Sequence, residues 1–355
     1  MPELKHQEVN PLFWLFNPFT SAKAIFMLIL LGFLVFANSM GNSFVADDIT
    51  YILRNPDIHQ LNMVKLFGPN AFTSGEYYRP LSAVFFAAFY AISGSNTFLF
   101  HFFQVVLHIL TALLFFFFLK KFFSDKLSFF LSAVFLVHPV QVESVAYISG
   151  LTNILLLFFG LCALLITAKK TLHKRDYFLL IGSLFLALLA KETAILFIAL
   201  LLIYTRFFNK KLFLPSLYCG ITSFLLYLIL RIGEVGIVKV QKIQANDFPI
   251  FQLDFIHRLV NIPAIFSHYL TEFFFPTTLA FMQNWVIRSI SFSSFYFPLF
   301  FTILVFGGLA SLGFFLYMKQ NKSQFLVFIF FGVWFFASIG MLLQIVPLDG
   351  TVADR

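Results

Sequence analysis

Apolar runs of about 20 residues recur along the whole chain, as in A-I-F-M-L-I-L-L-G-F-L-V-F-A over 24–37 and F-L-F-H-F-F-Q-V-V-L-H-I-L-T-A-L-L-F-F-F-F-L over 98–119. A helix of that length crosses a hydrocarbon core of roughly 30 Å. With 60% hydrophobic and 11% charged residues among 355, such runs are too many to be the core helices of a soluble domain. In lipid each span must satisfy its own backbone polar groups, which leaves helices or closed barrels. The two-residue alternation of barrel strands is absent, so the expected fold class is an all-α polytopic membrane protein. Nine spans are expected, at 24–42, 97–119, 127–141, 151–168, 177–190, 194–208, 212–230, 297–318 and 324–345. The 56 Phe residues fit codon bias in an AT-rich genome, because lipid accepts any large apolar side chain. Cys162 and Cys219 lie inside apolar runs, where they form neither a disulfide framework nor a Cys-x-x-Cys metal site. The first run is not read as a signal peptide, since a long polar leader precedes it and no small-residue cleavage site follows.

The net charge of +8 is explained by topology and calls for no nucleic acid. Lys5, Lys23, Lys120, Lys121, Lys126, Lys169, Lys170, Lys174, Arg175, Arg206, Lys210, Lys211, Lys319 and Lys322 fall in alternate loops, with Glu3, Glu8, Asp125 and Asp176 as the acids among them. The remaining polar segments hold ten basic and twelve acidic residues. Cytoplasmic loops carry the basic excess, so the segment 1–23 is expected to be cytoplasmic and 346–355 external, flanking a membrane domain over 24–345. Parity then puts 43–96 and 231–296 outside. The stretch 80–93 reads as a juxtamembrane helix, and 258–276, with Pro263, His268 and Glu272, as a re-entrant or surface-lying one.

Chemistry-bearing side chains collect on the external side. Asp47 and Asp48 adjoin in F-V-A-D-D-I-T-Y, either as a helix cap or as a general base, since neighbouring carboxylates resist joint ionisation. Arg79 in Y-Y-R-P-L and Lys191 in A-K-E-T-A are either interfacial and self-neutralising, with Glu192, or anion-binding. His138 and Glu143 in H-P-V-Q-V-E-S-V are interfacial polar residues or, with the two aspartates, a divalent-metal site that no spacing compels. His101, Gln104 and His108 share one face of a span, which suits hydrogen bonds between helices.

Taken in order, F-V-A-D-D, Y-Y-R-P-L, F-H-F-F-Q-V-V-L-H, H-P-V-Q-V-E-S-V-A-Y-I-S-G, A-K-E-T-A and P-L-D-G-T-V-A-D-R span residues 40–355. The series resembles bacterial relatives of the transmembrane and tetratricopeptide-repeat O-mannosyltransferases, of the GT-C superfamily. That resemblance implies a GT-C-like bundle with a polyprenyl-phosphate sugar as donor and an active site outside the bacterial cytoplasmic membrane. It also implies an acidic residue, Asp47 or Asp48, acting near a hydroxyl acceptor on a protein, glycan or lipid. Arg79, Lys191 and Arg355 are then expected at the donor phosphate. His138, Glu143, Glu192, His101 and His108 are expected in support. The family pattern has Gly-Arg-x-Asp where this chain reads Gly150-Leu151-Thr152-Asn153, and Asn where Gln104 stands. No tetratricopeptide repeat follows 346–355, which reads as a truncated end or one lacking an acceptor-recruiting part.

The chemistry implied is a single displacement with inversion at the anomeric carbon, in which cations stabilise the departing phosphate and no cofactor or metal is required. Membrane lipids are the surrounding partners and nucleic acid is not one. The rival expectations are a transporter or flippase of lipid-linked glycans, and a lipid-glycan ligase or polymerase. A transporter calls for intramembrane ionisable residues, paired broken helices and internal repeats, whereas here the charge clusters at one face and no repeat is found.

Overall fold

The structure, a computed structural model, describes residues 19–69, 71, 77–235, 248–277, 279–348 and 350–353. Arg355 and residues 1–18 of the expected N-terminal segment lie outside the described residues. Among the described residues the architecture is helical: α1 (Ser21–Phe36), α2 (Pro80–Ser93), α3 (Phe98–Leu119), α4 (Asp125–Val137), α5 (Gln141–Ala146), α6 (Leu151–Thr167), α7 (Lys174–Ala190), α8 (Ile195–Phe208), α9 (Phe213–Val235), α10 (Phe255–Phe274), α11 (Phe297–Met318) and α12 (Lys322–Gly340). Among the described residues six helical stretches are long and apolar enough to cross a membrane: 21–41, 98–119, 148–167, 210–234, 292–318 and 322–340. Six of the nine expected spans coincide with them. The other three form α4, α7 and α8, of 13, 17 and 14 residues, which fall short of the roughly 20 residues a perpendicular crossing takes.

Helices pack where side chains let them approach. α3 lies at the centre, against α1, α4 and α6, and α6 packs in turn on α7 and α8. Gly160 of α6 sits under the Phe197 ring of α8, where a Cβ would stand 2.5 Å from the ring carbons. At the basic end, Phe118 of α3 meets Tyr204 of α8 at 5.9 Å and Phe330 of α12 at 6.1 Å between centroids, knitting three helices through aromatic edges. α11 and α12 bury little of their surface and join the bundle through α8 and α10. The segment expected to be re-entrant or surface-lying is one continuous helix, α10, with Pro263 buried inside it. Asn261 of α10 is fully buried and holds the following loop, accepting the Ile287 N–H at 2.7 Å while donating to the His257 carbonyl at 2.8 Å.

The order of the helices brings the N-termini of α3, α6 and α8 and the C-termini of α4, α7 and α9 to one end of the bundle. Asp47, Asp48, Arg79, Glu143, Lys191 and Glu192 adjoin that end. The opposite end carries Lys120, Lys169, Lys174 and Lys210, with Asp125 paired to Lys120 at 2.9 Å and Asp176 to Lys169 at 2.6 Å. The charge asymmetry read from sequence is thus a separation between the two ends of the bundle.

Candidate functional site

The two adjacent aspartates have different environments. Asp48 is fully buried, and its Oδ1 accepts the backbone N–H of Ser149 at 2.8 Å and the Ser149 hydroxyl at 2.5 Å. Its Oδ2 accepts the Val45 N–H at 3.2 Å. Burial pushes the Asp48 carboxyl up from its ordinary value, and the hydrogen bonds from Ser149 and Val45 offset part of that. Asp48 therefore ties the first external loop to the start of α6. It opens the short helix Ile49–Leu53 without capping it through its side chain, so in place of the helix-cap alternative it makes a long-range anchor. Asp47 stays partly exposed, and its N–H donates to the Tyr147 hydroxyl at 3.2 Å. Burial, then the charges of Asp47 and Asp48, push the Tyr147 phenol up, so the phenol remains a neutral hydrogen-bond donor.

The segment 138–150 is the platform on which both aspartates rest. Gln104, buried in α3, donates to the carbonyls of Ser144 at 2.6 Å and Tyr147 at 2.7 Å. Gly150 then folds back so closely on α5 that a Cβ would stand 2.5 Å from the Glu143 carbonyl oxygen. His108, one face-turn below Gln104, bonds through Nε2 to the Leu136 carbonyl at 3.0 Å, while His101 is buried beside the backbone of Asn42. On this face Gln104 and His108 hold neighbouring segments through their carbonyls.

The cations form a second group at the same end. Arg79 grips Glu192 bidentately, Nη2 to Oε1 at 2.7 Å and Nε to Oε2 at 3.1 Å, with its guanidinium 4.2 Å from the centre of the Tyr77 ring. Burial pushes the Glu192 carboxyl up, but the Arg79 charge and hydrogen bonds outweigh it and hold the group below the usual carboxylate range. Lys191 Nζ donates to Asn153 Oδ1 at 2.7 Å. Asn153 Nδ2 in turn faces Ser144 Oγ at 3.4 Å. The two groups are therefore linked through the segment 138–150, since Ser144 meets the amide that holds Lys191 and the Tyr147 hydroxyl accepts the Asp47 N–H. Arg79 also feels the Tyr51 phenol, four residues beyond Asp47.

His138 and Glu143 lie elsewhere. His138 Nε2 donates to the Phe273 carbonyl of α10 at 2.8 Å, and its Nδ1 accepts the Val140 N–H at 3.3 Å, which assigns the neutral tautomer. It stands at one end of an apolar groove of about 1470 Å³ between α3, α4, α10, α11 and α12 that shares no lining residue with Arg79 or Lys191. Glu143 lines a small cavity of about 190 Å³ with Pro139, Leu279 and Phe281. Among the described residues no three His, Cys, Asp or Glu side chains are gathered to hold a metal ion. Among the described residues the expected constellation is set out with Asp47 beside Tyr147, Asp48 on Ser149, Lys191 on Asn153 and Arg79 on Glu192. Tyr147 and Ser149 were marked in the sequence only by their place in Y-I-S-G.

The chain is similar to several proteins named as protein O-mannosyl-transferases. Mouse protein O-mannosyl-transferase TMTC1 is 31% identical over 198 residues, 49% of this chain and 21% of its own length. Human protein O-mannosyl-transferase TMTC3 is 27% identical over 201 residues, 53% of this chain and 22% of its own. Caenorhabditis elegans protein O-mannosyl-transferase F38B6.6 is 27% identical over 184 residues, 48% of this chain and 26% of its own. The chain thus spans about a fifth to a quarter of the length of these relatives. No family model matches, and no solved structure matches.

Proposed function

We propose that the chain is a glycosyltransferase that moves a sugar, with inversion, from a polyprenyl-phosphate donor to an acceptor hydroxyl. The reaction runs at the outer face of a bacterial cytoplasmic membrane, and the basic end of the bundle lies in the cytoplasm. The observation that carries this reading is the pairing, through one short segment, of a partly exposed carboxylate with a lysine held by a neutral amide: Asp47 on Tyr147, and Lys191 on Asn153. The similarity to O-mannosyl-transferases supports a sugar as the group transferred and a protein hydroxyl as its acceptor.

In this scheme the acceptor oxygen attacks the anomeric carbon as the bond to the phosphate oxygen breaks. The bonding pair leaves with the polyprenyl phosphate, and the acceptor proton passes to the Asp47 carboxylate. An alcohol is far less acidic than a carboxylic acid, so Asp47 takes the proton late, once the new bond has formed in part. Lys191 stabilises the charge that develops on the leaving phosphate. A phosphate needs no protonation to depart, so no general acid is called for. Asp47 is taken as the base over Asp48, whose carboxylate is enclosed and bonded on both oxygens.

Asp47→Asn is expected to lower the transfer rate by about 10²- to 10⁴-fold, the usual worth of a general base, with thermal stability unchanged. Transfer of radiolabelled sugar from a panel of polyprenyl-phosphate sugars in proteoliposomes measures it. Wild-type transport of the labelled lipid without any transfer would replace this reading with that of a flippase.

A further inference from the structure

We infer that Tyr147 is a positioning residue for the proposed transfer: its phenol holds Asp47 by backbone and carboxylate together, and so aims the base at the acceptor hydroxyl. The inference rests on the reading of Asp47 as the base and names the side chain that sets its geometry.

The two aspartates follow a strained turn. Ala46, just before them, has a φ of 47°, a left-handed conformation that a residue with a Cβ keeps only where its surroundings impose it. The turn is closed by the Asp48 N–H on the Val45 carbonyl at 3.0 Å and by the Val45 N–H on Asp48 Oδ2 at 3.2 Å. Both bonds belong to Asp48, so they fix the buried member of the pair and not its neighbour. Asp47 is held from across the loop. Tyr147 accepts the Asp47 N–H at 3.2 Å, and its hydroxyl also hydrogen bonds to the Asp47 carboxylate. Ser149, two residues on, holds Asp48 through its own hydroxyl and N–H. The stretch Y-I-S thus receives the acidic pair one member to each hydroxyl.

The phenol is itself fixed. Its ring is 9% exposed and meets Phe281 edge to face, with centroids 5.4 Å apart. The Tyr147 carbonyl takes the Gln104 amide at 2.7 Å. Burial and the two carboxylates keep the phenol protonated, so it donates to Asp47 and does not compete for the acceptor's proton. A donor on one carboxylate oxygen leaves the other for the acceptor hydroxyl. Such aim matters, because a misplacement of about 1 Å costs on the order of 10²-fold in rate.

Tyr147→Phe keeps the ring and removes the hydroxyl alone. Wild type, Tyr147→Phe, Asp47→Ala and the double variant, each the full chain in proteoliposomes, are compared for transfer of radiolabelled sugar from the panel of polyprenyl-phosphate sugars. Tyr147→Phe is expected to lower kcat by about 10- to 100-fold with the donor KM unchanged and the melting temperature in detergent close to that of wild type. In the Asp47→Ala background the same change should have little further effect, because the phenol acts through the carboxylate. A wild-type kcat in Tyr147→Phe, or a fall by the same factor with and without the Asp47 carboxylate, overturns the inference and leaves the base reading standing. Asp47→Ala transferring like wild type, or a wild type inert toward every sugar of the panel, overturns the reading itself.

Discussion

Asp47 and Asp48 are identical in chemistry and adjacent in sequence, yet burial divides their roles. Asp48 is enclosed and accepts three hydrogen bonds, so Asp48→Asn should cost about 1–3 kcal/mol: an amide N–H turned toward the Val45 N–H leaves two donors facing each other. Thermal unfolding in detergent checks this, and Asp47→Asn is the control that should unfold like wild type. Glu192 yields a pH prediction whose sign follows from its depressed value. A carboxyl held below its usual range by Arg79 contributes stability that is present above the unfolded-state Glu value, near 4.3. That stability fades as pH falls through the lower folded-state value. The melting-temperature gap between wild type and Glu192→Gln should therefore be full at neutral pH and close in acid. The sequence identified the acidic pair but not the member that faces solvent, because adjacent residues share every local signal. The partner that decides it, Ser149, is 101 positions away.

At the scale of elements, the segment 138–150 matters more than any single helix. It is held from below by Gln104 and from within by the close approach of Gly150 to α5. Gln104→Leu leaves the Ser144 and Tyr147 carbonyls without their donor and should cost about 2 kcal/mol. Transfer should fall further than stability accounts for, since Tyr147 carries Asp47; unfolding midpoints and transfer rates on the same preparations measure both. The spacing of His101, Gln104 and His108 already placed them on one buried face, because helical periodicity is a local property. The acceptors were not legible: Gln104 bonds the Ser144 and Tyr147 carbonyls and His108 the Leu136 carbonyl, on segments whose docking depends on the whole bundle. The spans behave likewise. Hydropathy located them, while helix length separated six long crossings from α4, α7 and α8.

For the whole molecule, the separation of charge between the two ends predicts orientation. In a chain lacking Cys162 and Cys219, Ser95→Cys should react with an impermeant maleimide added to whole cells, and Thr171→Cys only after the membrane is opened. Both positions are exposed in turns at opposite ends of the bundle, and the reverse pattern would put the candidate site in the cytoplasm. The sequence by itself determined the solvent this chain folds in, the material of its helices, the end that bears the basic loops and the set of residues able to do chemistry. Each of these is a sum over local composition. Tertiary structure alone decided how that set is divided: Asp48 to Ser149, Arg79 to Glu192, Lys191 to Asn153, His138 to the Phe273 carbonyl. Those pairings join residues 38 to 135 positions apart, and a buried carboxylate or guanidinium takes whichever partner the packed helices bring within about 3 Å.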